Sequence, residues 1–339
     1  MKMKSELHLK SPISAGLILS YKCTSECKHC MYACSPKWSA DWIPEKDLEK
    51  ILSQLSGSIE GSPFGGIGIN YGLHFTGGEP FLNFELLLKA VKIAKKLYIP
   101  STFVETNCFW CSDDRTAEEK LSKLHDAGLD GILLSVNPFI LEHVPFERTE
   151  RAYGMSKKVF GENVIVYQGT FYDDFKRMGV RGTLPLKEYT RKSPFSFQYA
   201  ELLPMGRAVY QLEYLYKRFP AKYFFGESCR EELEREWHVH IDNYCNYIPG
   251  YCGGISLGDA RDMDSLRQGI DLGDRPVLGA LLKDLKDLYE FSVKEFNYKE
   301  LKEGYISKCH LCVDIRKHIV QQTDEFKELK PREFYYHLA

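Results

Sequence analysis

Several absences narrow the field before any motif is considered. No stretch of the 339 residues reaches about 18 consecutive apolar side chains, so no helix is expected to span a membrane. Neither sign of charge is in excess. Lys and Arg number 45 against 47 Asp and Glu, a formal net charge of −2, whereas a dedicated nucleic-acid binder carries a basic face. Internal repeats and low-complexity tracts are missing, and 44% apolar with 27% charged residues excludes collagen-like and disordered chains. The most glycine-rich stretch, residues 61–72, lacks the ordered GxGxxG or Walker pattern after a strand and earns no nucleotide role. The apolar run Ile13–Leu19 is short and leads directly into a cluster of cysteines, so it reads as a strand rather than a signal peptide. A cytoplasmic location is expected.

What is present begins with a beat of strand then helix. Ala15–Leu19, Gly72–Phe75, Thr102–Glu105, Ile132–Val136, Val164–Tyr167 and Phe195–Tyr199 have strand length. Between them lie helical periods: Leu48, Ile51, Leu52 and Leu55 fall at i, i+3, i+4, i+7. Leu86, Leu87 and Val91 nearly repeat this, with Lys89, Lys92, Lys95 and Lys96 on the other face, and Asn83 and Thr116 are candidate N-caps. Six such units predict a parallel sheet, either open and doubly wound or a partial barrel. After about residue 210 the beat breaks. A strand–turn–strand then fits Trp237–Asp242, a turn at Asn243–Asn246, and Tyr247–Cys252. Domains are expected over 12–220 and 221–320, with a tail over 321–339.

Eleven cysteines are many for a long chain of this kind, and in a cytosolic setting clustered cysteines point to metal or redox chemistry. Cys23, Cys27 and Cys30 follow the first strand at spacings of four and three, in the region where α/β barrels carry their catalytic loops. Three thiolates leave one metal position open, whereas a fourth, for which Cys34 is available, would close a structural zinc site. Thr76-Gly77-Gly78-Glu79-Pro80 follows the second strand. Its glycines allow close approach to a ligand, and its carboxylate is able to accept from an ammonium. Its plainer reading is a turn with a solvated Glu.

Taken together, Cys-x3-Cys-x2-Cys after one strand and Gly-Gly-Glu-Pro after the next resemble the signature of radical S-adenosylmethionine (SAM) enzymes. Pro204-Met-Gly206-Arg207-Ala208 resembles a stretch common in members with an extra C-terminal cluster domain. The resemblance implies a partial (β/α)6 TIM-like barrel in which Cys23, Cys27 and Cys30 hold a [4Fe-4S] cluster whose fourth iron is chelated by SAM. Reductive cleavage of SAM would give a 5′-deoxyadenosyl radical that takes hydrogen from a substrate. It further implies contact of Gly77, Gly78 and Glu79 with the amino group of SAM, and of His29 with its adenine. In this fold the strand-end residues Asn107, Ser135 and Asn137 tend to reach the ribose or carboxylate, and the plainer reading of each is a cap or turn residue. An electron donor such as flavodoxin or ferredoxin is implied as partner.

The C-terminal third resembles the twitch or SPASM extensions of the same family. There the resemblance assigns Cys252, Cys309 and Cys312 to an auxiliary [4Fe-4S] cluster, with Cys229 or Cys245 as the fourth ligand. Cys229 fits the family order better, and a zinc site with the same thiolates is the alternative. Cys108-Phe-Trp-Cys111 admits three readings: a redox dithiol, a hydrogen-atom donor to a substrate radical, or two buried cysteines packing as small hydrophobes. The expected substrate is a small molecule or a peptide. No separate leader-binding domain is expected, since the barrel starts by residue 14 and few residues follow Cys312. The rival from another class is an iron–sulfur electron carrier or sensor, which would have no use for the Glu79 pocket.

Overall fold

The computed structural model describes residues 6–39 and 41–339, which fall into two compact units. The first comprises residues 13–27 and 34–202; the second comprises residues up to 12, residues 28–33 and residues 203–339.

The first unit is built on five parallel strands: β1 (Ser14–Ile18), β2 (Gly72–Thr76), β3 (Phe103–Thr106), β4 (Gly131–Ser135) and β5 (Val164–Tyr167). They pair in chain order, with Ser14 opposite Gly72, His74 opposite Phe103, Phe103 opposite Gly131 and Ile132 opposite Val164. This order decides between the two expected architectures. A doubly wound sheet reverses its strand order at a switch point. Here every crossover steps the same way, and right-handed crossovers then put all the helices on one face, as in a barrel wall. The α/β fold class expected from the sequence is the one observed.

Between the strands run α1 (Glu45–Leu55), α2 (Phe84–Lys96), α3 (Asp114–Asp126) and α4 (Phe146–Phe160). The buried residues of α1 are Leu48, Ile51, Leu52 and Leu55, the stripe its periodicity predicts. Each such side chain contributes about 2 kcal/mol when fully buried. The Asn83 side chain caps α2 by accepting from Leu86 N at 3.2 Å. Thr116 is not the cap of α3. Asp113 is, accepting from the backbone N and Oγ1 of Thr116, each at 2.8 Å, and Thr116 sits inside the first turn as the donor.

The expected sixth strand does not form. Ser196–Tyr199 is a 3-10 helix closed by Gln198 N to Phe195 O at 3.1 Å and Ala200 N to Phe197 O at 3.2 Å. Pro194 fixes the approach to this turn. Phe197 packs its ring on Phe139, Phe171 and Tyr189, so local aromatic packing outweighs the β-like composition.

In the second unit, β6 (Val239–Ile241) and β7 (Tyr247–Ile248) form the expected hairpin. Asp242 organises its turn, accepting from Tyr244 N and Asn246 N at 3.0 and 2.9 Å. Helices α5 (Pro276–Lys283) and α6 (Leu285–Phe296) are separated by Asp284, whose extended backbone breaks the run and whose side chain caps α6 through Lys286 N. Helix α7 (Lys308–Gln322) is capped by Ser307, which accepts from His310 N at 3.0 Å. Among the described residues no helix is long and apolar enough to cross a membrane.

Candidate active site

The cysteine triplet and the Gly-Gly-Glu-Pro loop follow β1 and β2, two hydrogen-bonded parallel strands, at their C-terminal ends. Backbone bonds join these two loops: Gly78 N donates to Ser20 O at 2.8 Å and Glu79 N to Lys22 O at 3.0 Å. This explains the glycine pair. A Cβ on Gly78 would lie 1.9 Å from Lys22 O and 2.8 Å from Cys23 N, so only glycine lets the second loop press against the backbone that delivers Cys23.

Glu79 is 1% exposed and both its oxygens are engaged. Oε1 accepts from Thr106 Oγ1 at 2.9 Å and from Phe81 N at 3.2 Å, and Oε2 accepts from Asn107 N at 2.8 Å. Burial pushes its pKa up to about 7 in spite of these donors. The carboxylate therefore ties the end of β2 to the end of β3. Asn107 continues the link. Its Nδ2 is 3.7 Å from Cys23 Sγ and donates to Thr24 Oγ1 at 3.1 Å, while its Oδ1 accepts from Phe109 N at 3.0 Å. Thr106, which the sequence analysis passed over, is the hub. Its hydroxyl donates to Glu79 and accepts from Cys108 N and Trp110 Nε1. A hydroxyl at a strand end is the only signal that could have drawn notice to it.

The other strand-end residues are less committed to the cysteine loop. Asn137 is buried and uses Oδ1 to cap the turn Pro138–Leu141, accepting from Phe139 N and Ile140 N at 3.1 and 3.0 Å. Ser135 ends β4 opposite Tyr167 and is partly buried. Cys23 and Cys27 are buried and Cys30 is partly so. Cys34 is also buried, one residue before Ser35, whose backbone bonds to Cys23 N and Tyr21 O.

Cys108 and Cys111 are fully buried, and burial holds both thiols well above their ordinary pKa. A reactive dithiol needs the opposite shift and access to solvent, whereas a neutral thiol remains able to donate a hydrogen atom. Their loop also braces the site. Trp110 stacks on Phe81 with ring centres 4.0 Å apart, and Arg148 and Arg151 hold the carbonyls of Phe109 and Cys111.

The last part of the triplet segment, residues 28–33, belongs to the second unit and is fixed there by the Pro-x-Gly-Arg-Ala stretch. Arg207 N donates to Cys30 O at 3.0 Å and its Nη2 to Ala33 O at 2.7 Å, while a Cβ on Gly206 would lie 2.3 Å from Met31 O. Burial, and then the nearby Arg207 guanidinium, bring the His29 imidazole down to about 4, so it is neutral at physiological pH.

In the same unit, Cys229, Cys252, Cys309 and Cys312 are close enough to act on one another electrostatically. Each of the first three has its thiol pKa raised by burial first and then by neighbouring members of the group, Cys252 to about 11 and Cys309 to about 12. Cys245 holds the hairpin turn at φ 65°, a conformation that favours glycine, and its N donates to Asp242 O. The four thiols come from four places: the loop before the short helix Arg230–Leu233, the turn after β7, and the first and second turns of α7. The helix N-terminus favours negative charge on Cys309. Thiols are the donor type that iron–sulfur clusters use. Arg316, which the sequence analysis did not single out, lies beside them with Nε 3.3 Å from Cys312 Sγ.

Residues 17–139 match the family model of the radical SAM superfamily. Over that span, about a third of the chain, it is similar to the radical SAM superfamily. The matched span runs from the end of β1 through β4, takes in the cysteine triplet and the Gly-Gly-Glu-Pro loop, and ends at Phe139, two residues past Asn137. Among solved structures, BtrN in complex with AdoMet and 2-DOIA is 13% identical over 78% of this chain and 89% of its own, with a TM-score of 0.45. Native anSMEcpe with bound AdoMet and Cp18Cys peptide is 16% identical over 96% of each chain, with a TM-score of 0.44. SuiB of Streptococcus suis bound to S-adenosylmethionine is 15% identical over 76% of this chain and 65% of its own, with a TM-score of 0.36. No curated protein matches the chain.

Proposed function

We propose that Cys23, Cys27 and Cys30 hold a [4Fe-4S] cluster with one iron free for SAM, and that the enzyme abstracts hydrogen from a peptide or protein substrate. The observation that supports this best is the joining of two loops at the ends of adjacent parallel strands. The Gly77-Gly78 backbone is laid against Ser20–Cys23, in a cradle that any Cβ would fill. The donor set fits such a cluster: three cysteines within eight consecutive residues, two of them buried, one with its sulfur facing an amide N–H. When bound, the cluster supplies the electron that splits SAM into methionine and a 5′-deoxyadenosyl radical.

The chain's own residues orient and exclude. Gly77, Gly78 and Glu79 present backbone polar groups to the amino end of SAM, and the locked carboxylate of Glu79 keeps that backbone in place. The neutral His29 ring offers a flat face for adenine. Asn107, Ser135 and Asn137 line the strand ends toward the rest of the cofactor. Burial keeps water from the reacting atoms. In the second unit, Cys229, Cys252, Cys309 and Cys312 hold an auxiliary [4Fe-4S] cluster. A cytoplasmic flavodoxin or ferredoxin supplies electrons, and a small-molecule substrate is the alternative to a peptide.

Anaerobic reconstitution with iron and sulfide, followed by dithionite and SAM, tests the reading. The expected product is 5′-deoxyadenosine, absent in Cys27→Ala. A reconstituted protein that carries its clusters but forms none would be an electron carrier or sensor instead.

A further inference from the structure

Cys309, Cys312 and Arg316 stand at i, i+3 and i+7 on α7 and so share one face. Arg316 is only 5% exposed. Its Nε points to Cys312 Sγ at 3.3 Å. Its Nη1 donates to the carbonyl of Gly253, the residue after Cys252, at 3.0 Å, and to Tyr335 Oη at 2.8 Å. The guanidinium also lies over the Tyr335 ring, 5.5 Å from its centre. One side chain thus bridges the segments that carry two of the four cysteines.

The charge of Arg316 is the unexplained part. A guanidinium does not give up its proton in a protein, and a buried one without an anion is strongly disfavoured. Among the described residues no carboxylate pairs with it. Its polar contacts are a cysteine sulfur, a backbone carbonyl and a phenol, none of them an anion in the metal-free chain. The fold therefore places an obligate cation beside the sulfur of a candidate cluster ligand. Thiolates bound to a metal cluster carry net negative charge, so such a cluster and this cation would each supply what the other lacks.

We propose that Arg316 is the built-in counter-ion of the auxiliary cluster, a positioning residue whose N–H···S bond to Cys312 and fixed positive charge raise the cluster's reduction potential. The proposal rests on reading the four-cysteine site as an iron–sulfur cluster. Adding an electron makes the cluster more negative, so a buried cation stabilises the reduced form more than the oxidised one. Lysine would keep the charge and lose the planar fork that reaches Cys312 and Gly253 together.

The test uses the full chain with Cys23, Cys27 and Cys30 changed to Ala, so that only the auxiliary site is loaded, and follows a redox titration by EPR. At the parent's midpoint, R316Q is expected to show an about tenfold lower ratio of reduced to oxidised cluster, about 59 mV for one electron. R316K should shift less. Equal midpoints in all three proteins would overturn the proposal. Should R316Q lose its cluster, the parent decides the matter. Arginine labelled with ¹⁵N should give a nitrogen hyperfine coupling to the reduced cluster in pulsed EPR, and its absence would overturn the proposal. A parent that binds zinc, or no iron, defeats the cluster reading beneath it and gives no EPR signal at all, which separates the two failures.

Discussion

The two cysteine sites are assembled in opposite ways. Cys23, Cys27 and Cys30 lie within eight consecutive residues, and the fold's contribution is to pin the two ends of that segment, one with Gly78 and the other with Arg207. The proposed second set, Cys229, Cys252, Cys309 and Cys312, is spread over 84 residues on a loop, a turn after a hairpin and a helix. A local site is written in spacing; a dispersed one is written in the tertiary fold. The first is therefore expected to fail through its neighbours' backbone, and the second through the loss of any one contributing element.

The largest expected effects separate the two. Cys27→Ala should remove about half the reconstituted iron and all SAM cleavage, while Cys309→Ala should remove the other half and leave the far-UV circular dichroism of the chain unchanged. Loss of all iron in either variant would show that the sites are not independent. Cys245→Ala sharpens the contrast, since it should keep the full iron content where Cys229→Ala loses about half. Retained iron in Cys229→Ala would return the fourth position to Cys245.

Gly78→Ala tests whether the local site depends on backbone approach. Its Cβ would meet a carbonyl rather than a flexible side chain. It should cost about 1–3 kcal/mol in urea unfolding and lower 5′-deoxyadenosine formation at least tenfold, with the auxiliary iron untouched.

A smaller effect concerns Glu79. Its folded pKa is about 7 against an ordinary 4.5, so between those values the folded chain binds the proton more tightly than the unfolded one. Stability from this group is greatest at acid pH and falls as pH rises from about 4.5 to about 7, by up to about 3 kcal/mol. Urea unfolding of the metal-free chain at pH 5 and pH 8 should show that decline, and Glu79→Gln should flatten it. An unchanged slope in the variant would assign the pH dependence elsewhere.

Much of this was legible in the sequence for physical reasons that can be named. The stripe on α1 and the five strands follow from periodicity, because each helix packs one face on a sheet that is itself apolar. The sixth strand failed because Pro194 and the rings around Phe197 favour a tight turn over an extended run. Asp113 displaced Thr116 as a cap because a carboxylate three residues earlier reaches both the N–H and the hydroxyl. The choice between Cys229 and Cys245 was beyond spacing. In the structure Cys312, Cys252 and Cys309 act electrostatically on the Cys229 thiol, and the Cys245 backbone holds a hairpin turn. Arg316 gave no warning, since a basic residue on a helix is ordinarily solvated.

The segment Arg332–Tyr336 carries one more consequence. Phe334 and Tyr335 fill the space where a Cβ on Gly253 or Gly254 would sit, and Tyr335 Oη donates to Gly254 O at 2.6 Å. The turn that presents Cys252 is thus shaped by residues that leave the ribosome after every cysteine has emerged. If the proposed second cluster is loaded there, a chain ending at Gln322 should contain all eleven cysteines yet retain the iron of that cluster poorly.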